Sequence, residues 1–345
     1  MTKKYHLVTL EDIAKKLKVS KVTVSKALRN HPDISPETTE KVKLLADKLG
    51  YVPNLIARNL SSRRSNTIGL VVPKIAHIFF STIIETVYDT AFGNNYEIVL
   101  TVSQEQADRE IKHIQTLLSM KVDGLIISVT QETKDLAIFK KVLQHGIPIV
   151  FIDRVPKMSG VSSVTVDDKG GAYAATDYAI KKGYTKIAHL GGFQHINIGK
   201  ARYEGFADAM KENNIPVNSQ WVTEGGFSEE DGYDGFMKIY KKGNIPEYVF
   251  AVTYPVALGM YAAASELGVK IPEDIEVTCF GKNTVERLIP SVFNLIDQPA
   301  KEIGTEAIKL MLEQINNPKE FEPKQIQLKT KLIINNPANK SRLLI

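Results

Sequence analysis

Residues 9–50 carry three helix-start signals in close succession, and a chain with that spacing is confined there to a small three-helix unit. Thr9, with Asp12 three residues on, predicts a capped helix over 10–17 that buries Ile13, Ala14 and Leu17. Ser20 caps a second helix over 21–28, which turns Val24, Ala27 and Leu28 inward and Lys21, Val22, Ser25 and Lys26 outward. Ser35-Pro36-Glu37 opens a third, with proline at the first helical position and Val42, Leu45, Ala46 and Leu49 in one apolar stripe. Gly50 stands where a left-handed residue ends it. Two short helices joined by a tight turn and braced by a third form a helix-turn-helix, whose second helix is shaped for a DNA major groove.

Charge is distributed to match. Residues 1–66 hold 14 Lys and Arg against 6 Asp and Glu, a net +8 in a chain whose total is +5, so the remainder is acidic by 3. Basic charge gathered in one small unit is what binding to phosphates requires; a dispersed basic surface is a weaker signal.

Beyond 61–65 the pattern changes to short apolar runs alternating with amphipathic helices. Strands are expected at 68–72, 97–101, 125–128, 149–152 and 163–166, then at 187–190, 222–224, 249–252 and 276–280. Helical patterns lie between them, at 80–92, 108–120 and 135–145, and at 173–181, 202–213, 229–240 and 256–267. This alternation predicts an α/β core of two doubly wound parallel-sheet subdomains, with a ligand cleft beyond the carboxyl ends of the strands. A hydrophobic fraction of 43% and a charged fraction of 24% suit a water-soluble globular protein, and the N-terminus shows neither a signal peptide nor a membrane span, so a cytoplasmic location is expected.

Nothing points to turnover. The single cysteine, Cys279, lies in an apolar run and reads as a buried, unreactive thiol. Gly191-Gly192 follows a strand without a phosphate-loop lysine and reads as a close backbone turn. The histidines lack metal-ligand spacing, with His189 expected in the core, and Asp167-Asp168 reads as a cap for the next helix. Neither a cofactor nor a metal is expected.

The motifs 9–14, 19–28 and 49–54, with Ala57 and Leu60, resemble the headpiece and hinge of the LacI family of bacterial transcription regulators. The likeness continues through Gly69-Leu70-Val71-Val72-Pro73, residues 183–190 with Arg202 and Gly205-Phe206, residues 271–277, and Gln298-Pro299. It implies a DNA-binding headpiece (1–50), a hinge helix and linker (51–66), and a periplasmic-binding-protein-like effector and dimerisation core (67–345). Subdomain 1 is then expected at about 67–166 and 297–323, and subdomain 2 at about 167–296 and 324–345, with 299–316 packing on the first and 325–334 on the second.

The resemblance also implies roles. Lys21, Val22 and Lys26 match base-reading positions, and Thr23, Ser25, Tyr51 and Asn54 match phosphate-binding ones. Ala57, Arg58 and Leu60 match a hinge that enters the minor groove, Leu60 as the wedge. Lys26 stands where the family commonly has arginine; a lysine reaches guanine as a point charge, without a rigid fork. Phe79, Asp153, Arg202, Phe227, Thr253, Gly281 and Lys282 match the effector cleft. Two positions depart from the pattern: Thr253-Tyr254 replaces the usual Asn-Asp, and Gly281 replaces an aspartate. The expected function is a homodimeric repressor on a pseudo-palindromic DNA operator, answering to a sugar, sugar acid or sugar phosphate, with Arg202 holding an anionic group. The competing expectation is control by a partner protein, with a cleft that has lost small-molecule binding. Residues 336–345 leave no room for a heptad-repeat tail, so dimers and not tetramers are expected.

Overall fold

The computed structural model describes residues 8–52, 64–282 and 292–335. The chain divides into two compact units, Met1–Ser65 and Asn66–Ile345.

The first unit holds helices α1 (Leu10–Leu17), α2 (Lys21–Ala27) and α3 (Pro36–Leu49). Each begins at the cap read from the sequence. Thr9 forms a capping box with Asp12, its backbone N–H donating to the Asp12 carboxylate at 2.8 Å. Ser20 accepts from the Thr23 N–H at 3.0 Å, and Ser35 accepts from Thr38. Such caps contribute about 1 kcal/mol each. Helix α3 ends at Gly50, whose φ of +65° suits a residue without a Cβ. Ile13, Ala14, Val24, Ala27, Val42 and Ala46 form the buried centre, so three short helices share one core that none could support alone.

The second unit contains two six-stranded sheets. In the first, β1 (Thr67–Val72), β2 (Glu97–Val102), β3 (Gly124–Ile127), β4 (Ile149–Ile152) and β5 (Ser162–Val166) alternate with α4 (Ile78–Phe92), α5 (Ala107–Ser119) and α6 (Ala137–Gln144). In the second, α7 (Asp168–Lys181) leads to β6 (Ile187–Gly191), β7 (Val222–Glu224), β8 (Tyr248–Ala251), β9 (Glu276–Phe280) and β10 (Asn294–Asp297). These are interleaved with α8 (Asn197–Glu212), α9 (Glu229–Tyr240) and α10 (Tyr254–Glu266). Helix α11 (Ala300–Asn316) then returns to the first sheet, and β11 (Gln325–Leu328) and β12 (Lys331–Ile333) are the last elements among the described residues.

Strand order is β11-β5-β4-β3-β1-β2 in the first sheet and β12-β10-β9-β8-β6-β7 in the second. All pairings are parallel except β10 with β12. Apolar clusters cover both faces of each sheet, which is why β3, β4, β8 and β9 are buried along their whole length.

Two features correct the sequence reading. The resemblance puts 325–334 on the second subdomain, but β11 pairs with β5 of the first, Gln325 opposite Ser163 and Leu328 opposite Val166, and β12 alone of the two joins the second. A four-residue edge strand half open to water pairs through its backbone, and its side chains carry little information about which sheet it joins. Strand β10 was not foreseen as a strand. The chain thus crosses between the sheets at 166–168, 297–300 and 328–331.

Candidate functional site

On the headpiece, α2 buries Val24 and Ala27 and turns its other face outward. Lys21 is exposed, and Val22 is 64% exposed, a position that packing does not explain. Thr23 lies against the cap, its hydroxyl 2.8 Å from that of Ser20. Ser25 is engaged by Arg29, whose Nε donates to the Ser25 carbonyl and whose Nη2 donates to its hydroxyl, both at 3.1 Å. Lys26 donates to Asp33 at 2.7 Å. The Tyr51 ring packs against the headpiece core, and its N–H donates to the Ala46 carbonyl. Arg29 and Asp33 were absent from the expected site; Arg29 was readable as an i,i+4 neighbour of Ser25, whereas the contact of Asp33 depends on a loop. Asn54, Ala57, Arg58 and Leu60 lie outside the described residues, as does 336–345.

The second unit places all seven expected effector residues on the wall of one cavity of about 190 Å³. Phe79 comes from the start of α4, Asp153 follows β4, Arg202 projects from α8, and Phe227 follows β7. Thr253 follows β8, and Gly281 and Lys282 follow β9. Five of the seven stand just past the carboxyl end of a strand, while Phe79 and Arg202 come from helices, and both sheets contribute, as open parallel sheets dictate. His77, Arg154, Glu229, Tyr254 and Gln298 also line the wall and were not among the expected residues. Burial holds the pKa of His77 below its ordinary value, helped by Lys74 and Arg154, which favours the neutral ring.

Arg202 differs most from expectation. It is 1% exposed, and its Nε and Nη2 both reach one oxygen of Asp168, at 2.8 and 2.7 Å. Its Nη1 donates to the Val252 carbonyl at 2.6 Å, and its guanidinium lies 3.7 Å from the centre of the Phe280 ring. Its charge is therefore already balanced, so it is not the free cation on which the expectation of a bound anion depended. Asp167 caps α7 as expected, accepting from Gly170 at 2.9 Å, but Asp168 is the counter-ion of Arg202.

Asp153 is the converse case. It is buried, its backbone sits at φ +58°, and its carboxylate accepts no hydrogen bond among the described residues. The nearest cationic atom is Arg154 Nε at 4.0 Å. Burial pushes its pKa from 3.8 up to about 6, against the pull of Arg154 and Arg202. Arg154 donates through Nη1 to both oxygens of Glu105, at 3.0 and 2.8 Å, and lies 4.6 Å from the centre of the Phe227 ring, while its buried Nε has no hydrogen-bond partner among the described residues. Asp153 and Arg154 line the cavity together with Phe79 and Phe227, so among the described residues its wall carries a carboxylate without a hydrogen bond beside a guanidinium paired to Glu105.

The two departures from the resemblance also have a local reason. Gly281 has φ +139°, and a Cβ there would lie 2.7 Å from Tyr254 Cβ, so this backbone admits no side chain at 281. The Thr253 hydroxyl is directed to the Phe227 carbonyl and caps α10. Gly192 lies against the Phe227 ring, which supports its reading as a close-approach glycine. His189 is buried, with Nδ1 bonded to the Phe250 carbonyl at 2.9 Å and its ring stacked on Phe250, but Nε2 has no partner among the described residues, so this core histidine is only half satisfied by them. Burial raises the pKa of the Cys279 thiol, consistent with an inert group. Among the described residues, no group of side chains is arranged to hold a metal, and no helix is long and apolar enough to cross a membrane.

A helix-turn-helix unit followed by a two-sheet core with a cleft at its strand ends defines a DNA-binding regulator with a periplasmic-binding-protein-like core. Two family models divide the chain in the same way. The model for the bacterial regulatory proteins of the lacI family matches residues 9–54, and that for periplasmic binding proteins and the sugar-binding domain of the LacI family matches residues 65–336. The chain belongs to the LacI family. It is 30% identical to the HTH-type transcriptional repressor PurR of Vibrio vulnificus, over 97% of this chain and 99% of that one. It is 28% identical to catabolite control protein A of Priestia megaterium, over 90% and 93% respectively. Among solved structures it is similar to a complex of the transcriptional regulator CelR with cellobiose (26% identity, TM-score 0.71, 95% and 99% coverage). It shares the fold of the lac repressor dimer bound to operator and an anti-inducer (23% identity, TM-score 0.82, 96% and 98% coverage). The protein is accordingly a DNA-binding transcription regulator and not an enzyme.

Proposed function

We propose that the protein is a homodimeric repressor of a pseudo-palindromic operator, whose affinity for DNA is set by a small, uncharged, hydroxyl-bearing molecule in the cleft. The observation that carries the ligand class is the contrast between Arg202, fully engaged by Asp168, and Asp153, whose buried carboxylate lacks a hydrogen bond. A hydroxyl can donate to the Asp153 carboxylate beside Arg154, whereas an anion would face that carboxylate and have to turn to Lys282 on the cavity wall for its counter-charge. The aromatic walls of Phe79 and Phe227 suit the apolar faces of a sugar ring. On the headpiece, Lys21, Val22 and Lys26 are proposed to read bases, with Thr23, Ser25, Tyr51 and Asn54 positioning the backbone and Ala57, Arg58 and Leu60 entering the minor groove.

Thermal shift of the full chain against neutral sugars, sugar acids and sugar phosphates tests the cleft. Stabilisation by neutral sugars supports the reading, whereas stabilisation by anionic sugars alone restores the charge-based alternative. If none of these compounds stabilises the chain, the partner-controlled alternative gains. Selection of bound sequences from random DNA tests the operator, and light scattering tests the dimer.

A further inference from the structure

Lys26 is the expected base reader least suited to its task, because an ammonium on a flexible stem has no preferred direction. The structure supplies one. Beyond α2 the chain turns back at once: Asn30 takes φ +52°, and the His31 N–H donates to the Lys26 carbonyl at 3.0 Å. The Ile34 N–H then donates to the His31 carbonyl, also at 3.0 Å. This turn carries Asp33 back over the end of α2, where its carboxylate receives Lys26 Nζ at 2.7 Å. Asp33 is held in turn by its own N–H, which donates to His31 Nδ1 at 3.4 Å. The Lys26 side chain is a third exposed while that of Asp33 is mostly open to water, and the Asp33 pKa is lowered chiefly by the hydrogen bond from Lys26.

We propose that Asp33 is a positioning residue for DNA reading: it fixes the Lys26 ammonium by one of its three N–H groups and leaves the other two directed as a fork. A guanine edge in the major groove offers two adjacent acceptors, N7 and O6, and the usual arginine meets them with a planar guanidinium. Here a lysine and a carboxylate together perform that task. Asp33 has a second effect, since its negative charge faces the same polyanion and weakens contacts that do not satisfy Lys26. The pair therefore lowers binding to indifferent sequences while sharpening discrimination at one base.

The proposal rests on the base-reading role given to Lys26, and its test separates the two. Bound sequences are selected from random DNA with the full-length protein, its Asp33→Asn, Lys26→Arg and Lys26→Ala variants and the Lys26→Arg, Asp33→Asn double variant, and each is titrated on an unrelated duplex. Asp33→Asn is expected to lose about tenfold in discrimination at one guanine position while binding the unrelated duplex more tightly. Lys26→Arg combined with Asp33→Asn is expected to recover the discrimination, because the guanidinium brings its own fork. Removal of a charge alone would tighten binding to every sequence alike and leave discrimination intact, and that result overturns the proposal. A Lys26→Ala protein that keeps every base preference also overturns it while leaving the operator reading standing. A wild-type protein that selects no sequence overturns the operator reading itself.

Discussion

Arg202 and Asp168 lie 34 residues apart in sequence, yet two nitrogens of the one, which lines the cleft, converge on a single oxygen of the other. The arginine thus acts as part of the wall: it joins the start of α7 to α8 and closes the end of β8 through the Val252 carbonyl. Asp168→Ala would strand a buried guanidinium, and a loss of about 3–5 kcal/mol in urea unfolding is expected. Replacing both residues together, Asp168→Leu with Arg202→Met, should cost much less. A single variant within about 1 kcal/mol of the wild type would show that water reaches the pair after all.

Three buried groups are among those that shape the response to acid. Burial raises the pKa of Glu110 from 4.5 to about 7 and that of Asp153 from 3.8 to about 6, and it lowers that of His189 from 6.5 to about 4. Where the folded state binds the extra proton, stability rises as pH falls, so Glu110 contributes between pH 7 and 4.5 and Asp153 between 6 and 3.8. His189 has the opposite sign: its proton is favoured in the unfolded chain, and stability is lost as pH falls from 6.5 towards 4. Unfolding curves against pH should therefore steepen downward on the acid side for Glu110→Gln and flatten there for His189→Phe. Unchanged slopes in both variants would refute these assignments.

Helices α9 and α10 meet through glycine. A methyl at Gly259 would fall on the Glu229 carbonyl oxygen, and one at Gly232 on that of Val256. Gly259→Ala should cost at least about 1–3 kcal/mol and disturb the cleft, because Glu229, Thr253 and Leu258 lie on these helices or at their starts and line it. Gly235→Ala on the same helix meets only side-chain atoms at 3.3 Å and should be tolerated better. Equal effects in chemical denaturation would remove the argument.

Asp153→Asn should move stability and binding in opposite directions. Removing a buried, unbonded carboxylate is expected to raise the melting temperature at pH 7, while the stabilisation produced by a neutral sugar shrinks or vanishes. A variant that melts lower and binds as before would show that Asp153 has partners of its own.

Val22 offers the cleanest separation of reading from folding. Its side chain meets water, so Val22→Ala should leave stability within about 0.5 kcal/mol and change preference at one base, as expected for a contact with a thymine methyl. Binding-site selection that returns the same preference would assign recognition to other residues.

What the sequence revealed followed from the range of the forces involved. Caps at Thr9, Ser20 and Ser35 act within a turn, so the headpiece was legible almost residue by residue. The cleft residues were found because strand ends are marked by the end of an apolar run, as at Ile152 before Asp153 and Phe280 before Gly281. Electrostatic partners were not legible, since Glu105 reaches Arg154 across 49 residues and Asp168 reaches Arg202 only through the packing of two helices. Without those partners, Arg202 read as a free cation. The same limit hid β11, whose alternate residues, Gln325 and Gln327, face water and do not mark one sheet over another.

The late arrival of β11 also bears on how this protein is made. Synthesis runs from the N-terminus, and the backbone of β5 emerges at 162–166 with an unpaired edge that only residues 325–328 will cover. The α11 face of the same sheet likewise waits for 300–316. The first-begun subdomain is therefore completed only after nearly all of the second has left the ribosome, and a truncated chain would expose both a strand edge and an apolar face. Nascent molecules of this protein should thus depend on chaperones until their last strands appear.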